Sequence, residues 1–215
     1  MKMIKNYFKI LSFFLLFNFF FIFNLNSQIN NFIIVKVGGS LITSTDLENE
    51  IITTLVINKQ EVNQTNVDQS KDYAIKKLMN KLIKKNEINK YKIKNFNKRD
   101  LEKYIDNVAK DFNTNTDGLQ KIFKQNNIDY NLFVENYEIE LLWNTLIYAR
   151  YKNQINVNII EVENELEKLK KNKTEDEIKK IKEDILNKKK EEKLSLFSRS
   201  HFSNLENTTN IKFNE

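Results

Sequence analysis

Short β-rich runs stand at both ends of the patterned part of this chain, and helical periods fill what lies between. Phe32 to Val37 (FIIVKV) is followed by Gly38-Gly39 and by Ser40 to Thr43 (SLIT), the pattern of a hairpin closed by a two-residue turn. Thr45-Asp46-Leu47-Glu48 has capping-box spacing, so a helix is expected to open there and run to Leu55 or Ile57. The polar stretch NKQEVNQTN leads to a second helix, from about Asp68 to Tyr91. It carries Tyr73, Ile75, Leu78, Leu82 and Ile83 on one face and lysines over the rest. Asn97-x-x-Asp100 caps a third, with Leu101, Tyr104, Ile105, Val108 and Phe112; Leu119, Ile122 and Phe123 mark a short fourth. Asn158 opens IIEVENELEKLKK. Thr174-x-x-Glu177 is a second capping box before a long charged helix toward Leu205, and Thr208 to Phe213 (TTNIKF) is again β-like. Neither terminal β-run has enough partners nearby, so the two are expected to share one small sheet.

The stretch Asp129 to Tyr151, DYNLFVENYEIELLWNTLIYARY, departs from this amphipathic pattern. At 100° per residue, Tyr130, Phe133, Val134, Tyr137, Leu141 and Tyr148 fall on one side. Leu132, Ile139, Leu142, Trp143, Leu146 and Ile147 fall on the other. A helix apolar nearly all round is a buried one, and Glu135, Glu138, Glu140 and Arg150 argue against a membrane span. Asp129 is its expected N-cap. The expected fold is mainly α, several helices around this one buried helix, with a small β-sheet made of the N-terminal hairpin and the C-terminal strand.

Composition narrows the connectors. The chain has no Pro or Cys and three glycines, Gly38, Gly39 and Gly118, so few tight turns are expected and thiol chemistry is excluded. The net charge of +6 is mild, and half of it comes from Lys2, Lys5 and Lys9. The remainder is too evenly mixed to argue for nucleic acid. Met1 to Ser27 has a basic start, an apolar run and a small residue at its end, the layout of a secretory signal peptide. Cleavage near Ser27 is expected, with a retained inner-membrane anchor as the alternative. Either way the rest of the chain leaves the cytoplasm, for the periplasm if the host is Gram-negative. A single domain over 28–215 would follow.

Three segments together resemble the SurA family of periplasmic chaperones. IIVKVGGSLITSTDLENEI is similar to that family's opening hairpin and helix, with Asp46 at the acidic position after the turn. NNIDYNLFVENYEIELLWNTLIYARYKNQINVNIIEVENEL is similar to its long conserved segment and the helix after it. HFSNLENTTNIKF resembles its C-terminal helix end and closing strand. The family usually carries one or two parvulin-type prolyl isomerase domains between the last two. Here only about a dozen residues, ELEKLKKNKTED, separate them. The resemblance implies a chaperone core alone, an N-terminal helical module (30–171) completed by a C-terminal helix and strand (174–214). It implies an ATP-independent protein that binds unfolded outer-membrane-type chains, or other aromatic-rich extended polypeptides, and prevents their aggregation. The isomerase chemistry does not carry over, because its residues are missing.

Candidate chemistry adds little. His201, the lone histidine, stands in no Ser, Cys or acid motif and in the resemblance occupies a packing position. Gly38-Gly39 lacks the rest of a phosphate loop. Glu135, Glu138 and Glu140 suit a solvated helix face better than an acid/base pair. No catalytic residue, cofactor or metal is expected. What remains is an excess of aromatics. Phe112, Phe123, Tyr130, Phe133, Tyr137, Trp143, Tyr148 and Tyr151 are too many to bury easily in a small domain. Most are expected in the core. Of these, Phe112, Phe123, Tyr130, Tyr137, Tyr148 and Tyr151 are the candidates for gripping a client polypeptide, since exposed apolar patches mark binding sites. The rival readings are a membrane-anchored scaffold or adaptor and a foldase with prolyl isomerase activity.

Overall fold

The computed structural model describes residues 31–214, so the signal-peptide reading of 1–27 lies outside the described residues. Strands β1 (Ile33–Val37) and β2 (Ser40–Thr43) form an antiparallel hairpin. Gly38 takes φ +59° at the first central position of its turn, which glycine reaches without steric cost. Strand β3 (Ile211–Phe213) pairs with the other edge of β1, giving a sheet of order β2-β1-β3. Gly38 N–H donates to the Asn210 carbonyl and Asn214 N–H to that of Ile34, so the ladder continues past both ends of β3. The two ends of the described chain therefore meet in one three-stranded sheet. Val35 and Val37, on the inner face, have no exposed surface.

Seven helices lie between these strands among the described residues: α1 (Ser44–Ile57), α2 (Gln64–Lys90), α3 (Lys98–Asp111), α4 (Thr116–Gln125), α5 (Tyr130–Tyr151), α6 (Ile159–Leu169) and α7 (Glu175–Thr208). Most begin where the sequence places them, with Asn97, Asp129, Asn158 and Thr174 as N-caps. Two begin earlier. The capping box of α1 is Thr43 with Asp46, not Thr45 with Glu48. Strand β2 ends at Thr43 in an extended conformation (φ −104°, ψ 167°), and that geometry is what an N-cap needs. Helix α2 starts at Gln64 behind Asn63, whose side chain accepts from Asn66 N–H at 2.9 Å; its first turn has no apolar stripe by which to be recognised. Tyr73, expected on the packed face of α2, is 60% exposed.

The scarcity of glycine is met by Asn and Lys. Lys59, Lys92, Asn113 and Asn127 adopt φ between +53° and +56° just after α1 to α4. In each case the next residue's N–H returns to a carbonyl of the last turn: Gln60 to Leu55, Ile93 to Ile88, Thr114 to Ala109, Ile128 to Phe123. This is the Schellman closure, which satisfies carbonyls that the helix end leaves open.

Helix α5 is apolar on two sides because it sits between two cores. Toward its N-terminus, Phe133 packs with Val108, Leu119, Phe123 and Val56 from α3, α4 and α1. Farther along, Ile139, Trp143, Leu146 and Ile147 pack with Ile88 of α2 and Leu194, Phe202 and Leu205 of α7. Trp143 Nε1 donates to Ser198 Oγ at 2.8 Å, so the buried indole N–H is satisfied. Helix α6 packs chiefly on α7, around a separate small cluster of Val162, Leu166 and Ile185. No helix among the described residues is long and apolar enough to cross a membrane.

Candidate functional site

A cleft of about 500 Å³ opens where α1, α2, α3 and α5 meet. Helix α2 faces it with Tyr73, Lys76, Lys77, Asn80, Lys81 and Lys84, spaced so that one side of the helix supplies them all. Helix α5 contributes Phe133, Asn136, Tyr137 and Glu140 at the same spacing, α1 contributes Glu50 and Thr53, and α3 contributes Tyr104. The rings of Tyr104 and Tyr137 stack with centroids 3.7 Å apart and planes within 5°. Burial, with the neighbouring Tyr137 and the Glu50 carboxylate, raises the pKa of Tyr104 above its usual value, so its hydroxyl stays protonated.

Charges hold the cleft in shape. Glu50 is 2% exposed, and a carboxylate that deep needs partners. Lys77 Nζ lies 2.5 Å from its Oε1, Thr54 donates to the same oxygen, and Asn136 Nδ2 donates to Oε2 at 3.1 Å. Lys84 reaches Glu140 at 2.6 Å, while Lys81 and Lys85 both reach Glu135, clamping α2 to α5. Burial works to raise the pKa of Glu135, but the ammonium groups of Lys85 and Lys81 outweigh it and hold the carboxyl below its ordinary value.

Three other polar atoms of this lining lack a protein partner: Thr53 Oγ1, Asn80 Oδ1 and Asn136 Oδ1 are all buried without a hydrogen bond. Each such atom costs about 1–3 kcal/mol, and their gathering around one cleft marks it off from the rest of the described structure. The orientation of Asn136 is set by the Glu50 carboxylate, which requires a donor, so its Oδ1 is an acceptor by necessity.

The six aromatic candidates do not share one surface. Tyr137 lines the cleft. Phe123 has no exposed area and is a core residue, held edge-on to Phe133 at 4.9 Å; in this arrangement it cannot touch a client. Phe112 and Tyr130 are half-buried against the same core. Tyr148 is 55% exposed on α5. Tyr151 is half-buried, stacked on Phe197 of α7 with centroids 4.9 Å apart. The aromatics that accompany Tyr137 are Phe133 of the same helix and Tyr73 and Tyr104, and the last two stand on other helices, where aromatic excess along α5 could not single them out. The signal was present in the spacing of polar residues on α2, read from the sequence only as lysines covering the rest of a helix.

His201 is buried against Trp143 and Tyr151, as a packing residue should be, and it has polar partners besides. Its Nε2 lies 3.1 Å from Glu87 Oε1 and its Nδ1 lies 3.0 Å from the Tyr151 hydroxyl. The acid that sequence motifs did not supply comes from α2, 114 residues away. A neutral ring satisfies both contacts in one direction, Tyr151 O–H donating to Nδ1 and Nε2–H donating to Glu87. Burial lowers the pKa of His201, with Arg150 and Lys90 adding to the fall and Glu87 opposing it. Arg150 itself sits over the rings of Tyr91 and Tyr151 and donates to the Tyr91 hydroxyl. This network ties α2, α5 and α7 together.

No family model and no curated protein matches this chain. Among the described residues no group of three or more His, Asp or Glu side chains is placed to share a metal ion. The cleft offers tyrosine faces, ammonium groups and amide oxygens, a set suited to binding a ligand with both apolar and hydrogen-bonding parts.

Proposed function

We propose that this chain is an ATP-independent chaperone that holds unfolded outer-membrane-type polypeptides in the periplasm and keeps them from aggregating. The observation that carries the reading is the cleft between α2 and α5, where stacked tyrosines meet polar groups without partners. Its volume lies in the range of ligand sites and would admit a few residues of an extended chain. Such a chain presents side chains to the tyrosines and backbone amides to the polar atoms. Affinity would be modest, because ordering an unfolded client costs conformational entropy. The sequence resemblance to the SurA chaperone core points the same way, and the signal-like layout of Met1 to Ser27 supports delivery to the periplasm. The proposal assigns binding and no isomerisation of proline bonds, whose barrier of about 18–20 kcal/mol demands a site organised around the twisting bond.

The test is a pair of measurements on one preparation. Light scattering of a refolding outer-membrane β-barrel should fall as the protein is added, while the rate of a proline-peptide isomerisation should not change. Scattering that stays the same at several-fold excess over several barrel clients overturns the chaperone reading and leaves the scaffold. Faster isomerisation overturns the non-enzymatic part.

A further inference from the structure

The geometry points to a particular kind of client segment in the cleft: an extended stretch bearing an acidic side chain, its carboxylate drawn to Lys76 and its backbone N–H groups to the unpartnered oxygens of Thr53 and Asn136. This inference rests on the polypeptide-binding reading above and adds to it a charge preference and a set of contacts.

Lys77, Lys81 and Lys84 each have a carboxylate partner, in Glu50, Glu135 and Glu140. Lys76 lines the same cleft, is exposed, and has no carboxylate partner among the described residues. The lining therefore holds an uncompensated positive charge beside a largely exposed tyrosine, Tyr73, one turn away on α2. A basic segment would face that charge unfavourably, a neutral one would gain nothing from it, and an acidic one would pair with it.

The floor supplies the second constraint. Asn136 Oδ1 is an acceptor without a donor, and Thr53 Oγ1, on a residue 2% exposed, also lacks a partner. Peptide N–H groups are the donors that every residue of an unfolded chain carries except proline. Thr53 and Asn136 both line the cleft, where a bound segment would bring its N–H groups to these oxygens.

The experiment uses protein purified after expression of the full chain and three short fluorescent peptides of one aromatic-containing sequence, differing only in Glu, Gln or Lys at the central position. Fluorescence anisotropy should show the Glu peptide binding about two- to fivefold tighter than its Gln twin, and the Lys peptide weakest. Lys76→Glu should erase the preference for Glu over Gln. Thr53→Val, an isosteric change, should weaken all three peptides about threefold without lowering the melting temperature, since it removes a hydroxyl that has no partner in the free protein. A purely structural role for Thr53 would show the reverse, lower stability and unchanged binding, and would remove the floor from the argument. Equal binding of Glu and Gln peptides, or a preference that survives Lys76→Glu, overturns the acidic-segment inference but leaves polypeptide binding standing. If no peptide binds and barrel scattering is also unaffected, the reading on which it rests falls with it.

Discussion

Helix α5 is mostly apolar, whereas the hairpin of α6 with the first half of α7 is mostly Lys, Glu and Asp, and the two are held in opposite ways. Around α5 nearly every side finds apolar partners, supplied by α1, α2, α3, α4 and α7. Around α6 there is one neighbour of consequence, and its contact rests on Val162, Leu166 and Ile185 plus ion pairs such as Lys182–Glu163 and Lys189–Glu165. Those pairs are reached by solvent, which screens them and leaves them a small share of the hairpin's stability. Ile159, Ile160 and Leu169 of α6 stay exposed. The lesson is that helix length and capping do not set local stability. The long helix α7 is capped as well as any, yet its two halves belong to differently packed regions, because only the second half meets α5.

The contrast is broken most forcefully at Trp143. Trp143→Ala should remove about 3 kcal/mol or more and lower the melting of the whole bundle, since it opens a cavity and orphans Ser198. A loss below about 0.5 kcal/mol in denaturant titration would place that face in solvent and erase the distinction. Ile185→Ala removes a smaller, aliphatic volume and should cost the hairpin about 2–3 kcal/mol. Its effect should be local: faster amide hydrogen exchange over residues 159–190, with the main melting transition where it was. A global shift would mean that hairpin and bundle unfold as one. Next in size is removal of residues 207–215, which takes β3 from the sheet; the bundle's melting temperature should fall by several degrees.

A smaller, pH-dependent effect separates the halves of α7. Burial keeps the pKa of His201 below its ordinary value, so the unfolded chain takes up a proton at a pH where the folded one resists it. The contribution is fully present above about pH 6.5 and is lost as the pH falls from there toward the lowered folded value. Melting temperatures at pH 7.5 and 5.5 should differ in the native protein and differ less in His201→Gln, while exchange rates in the hairpin should not follow the variant. A pH response that survives His201→Gln would assign it to other groups. The smallest effect is expected at Glu163→Gln, about 0–1 kcal/mol and screened by salt. A larger loss would show that the hairpin depends on its ion pairs after all.

What the sequence by itself determined is the mainly helical fold, the caps at Asn97, Asp129, Asn158 and Thr174, the burial of α5 and the sheet that joins the ends. Each of these follows from local spacing or from a β-run with too few neighbours, and local spacing is written in the chain. The start of α1 was misplaced by two residues, because whether Thr43 or Thr45 caps the helix depends on where β2 lets go of its partner. The cleft was not legible at all. Tyr73, Tyr104 and Tyr137 stand on three helices and Thr53 on a fourth, and their meeting depends on how those helices cross. Glu87 and His201 likewise pair across 114 residues. An aromatic on an apolar helix face reads the same whether it meets a core or a cleft, so local spacing does not tell Phe123 from Tyr137. Only the packing of the neighbouring helices decided that one is sealed in and the other is presented.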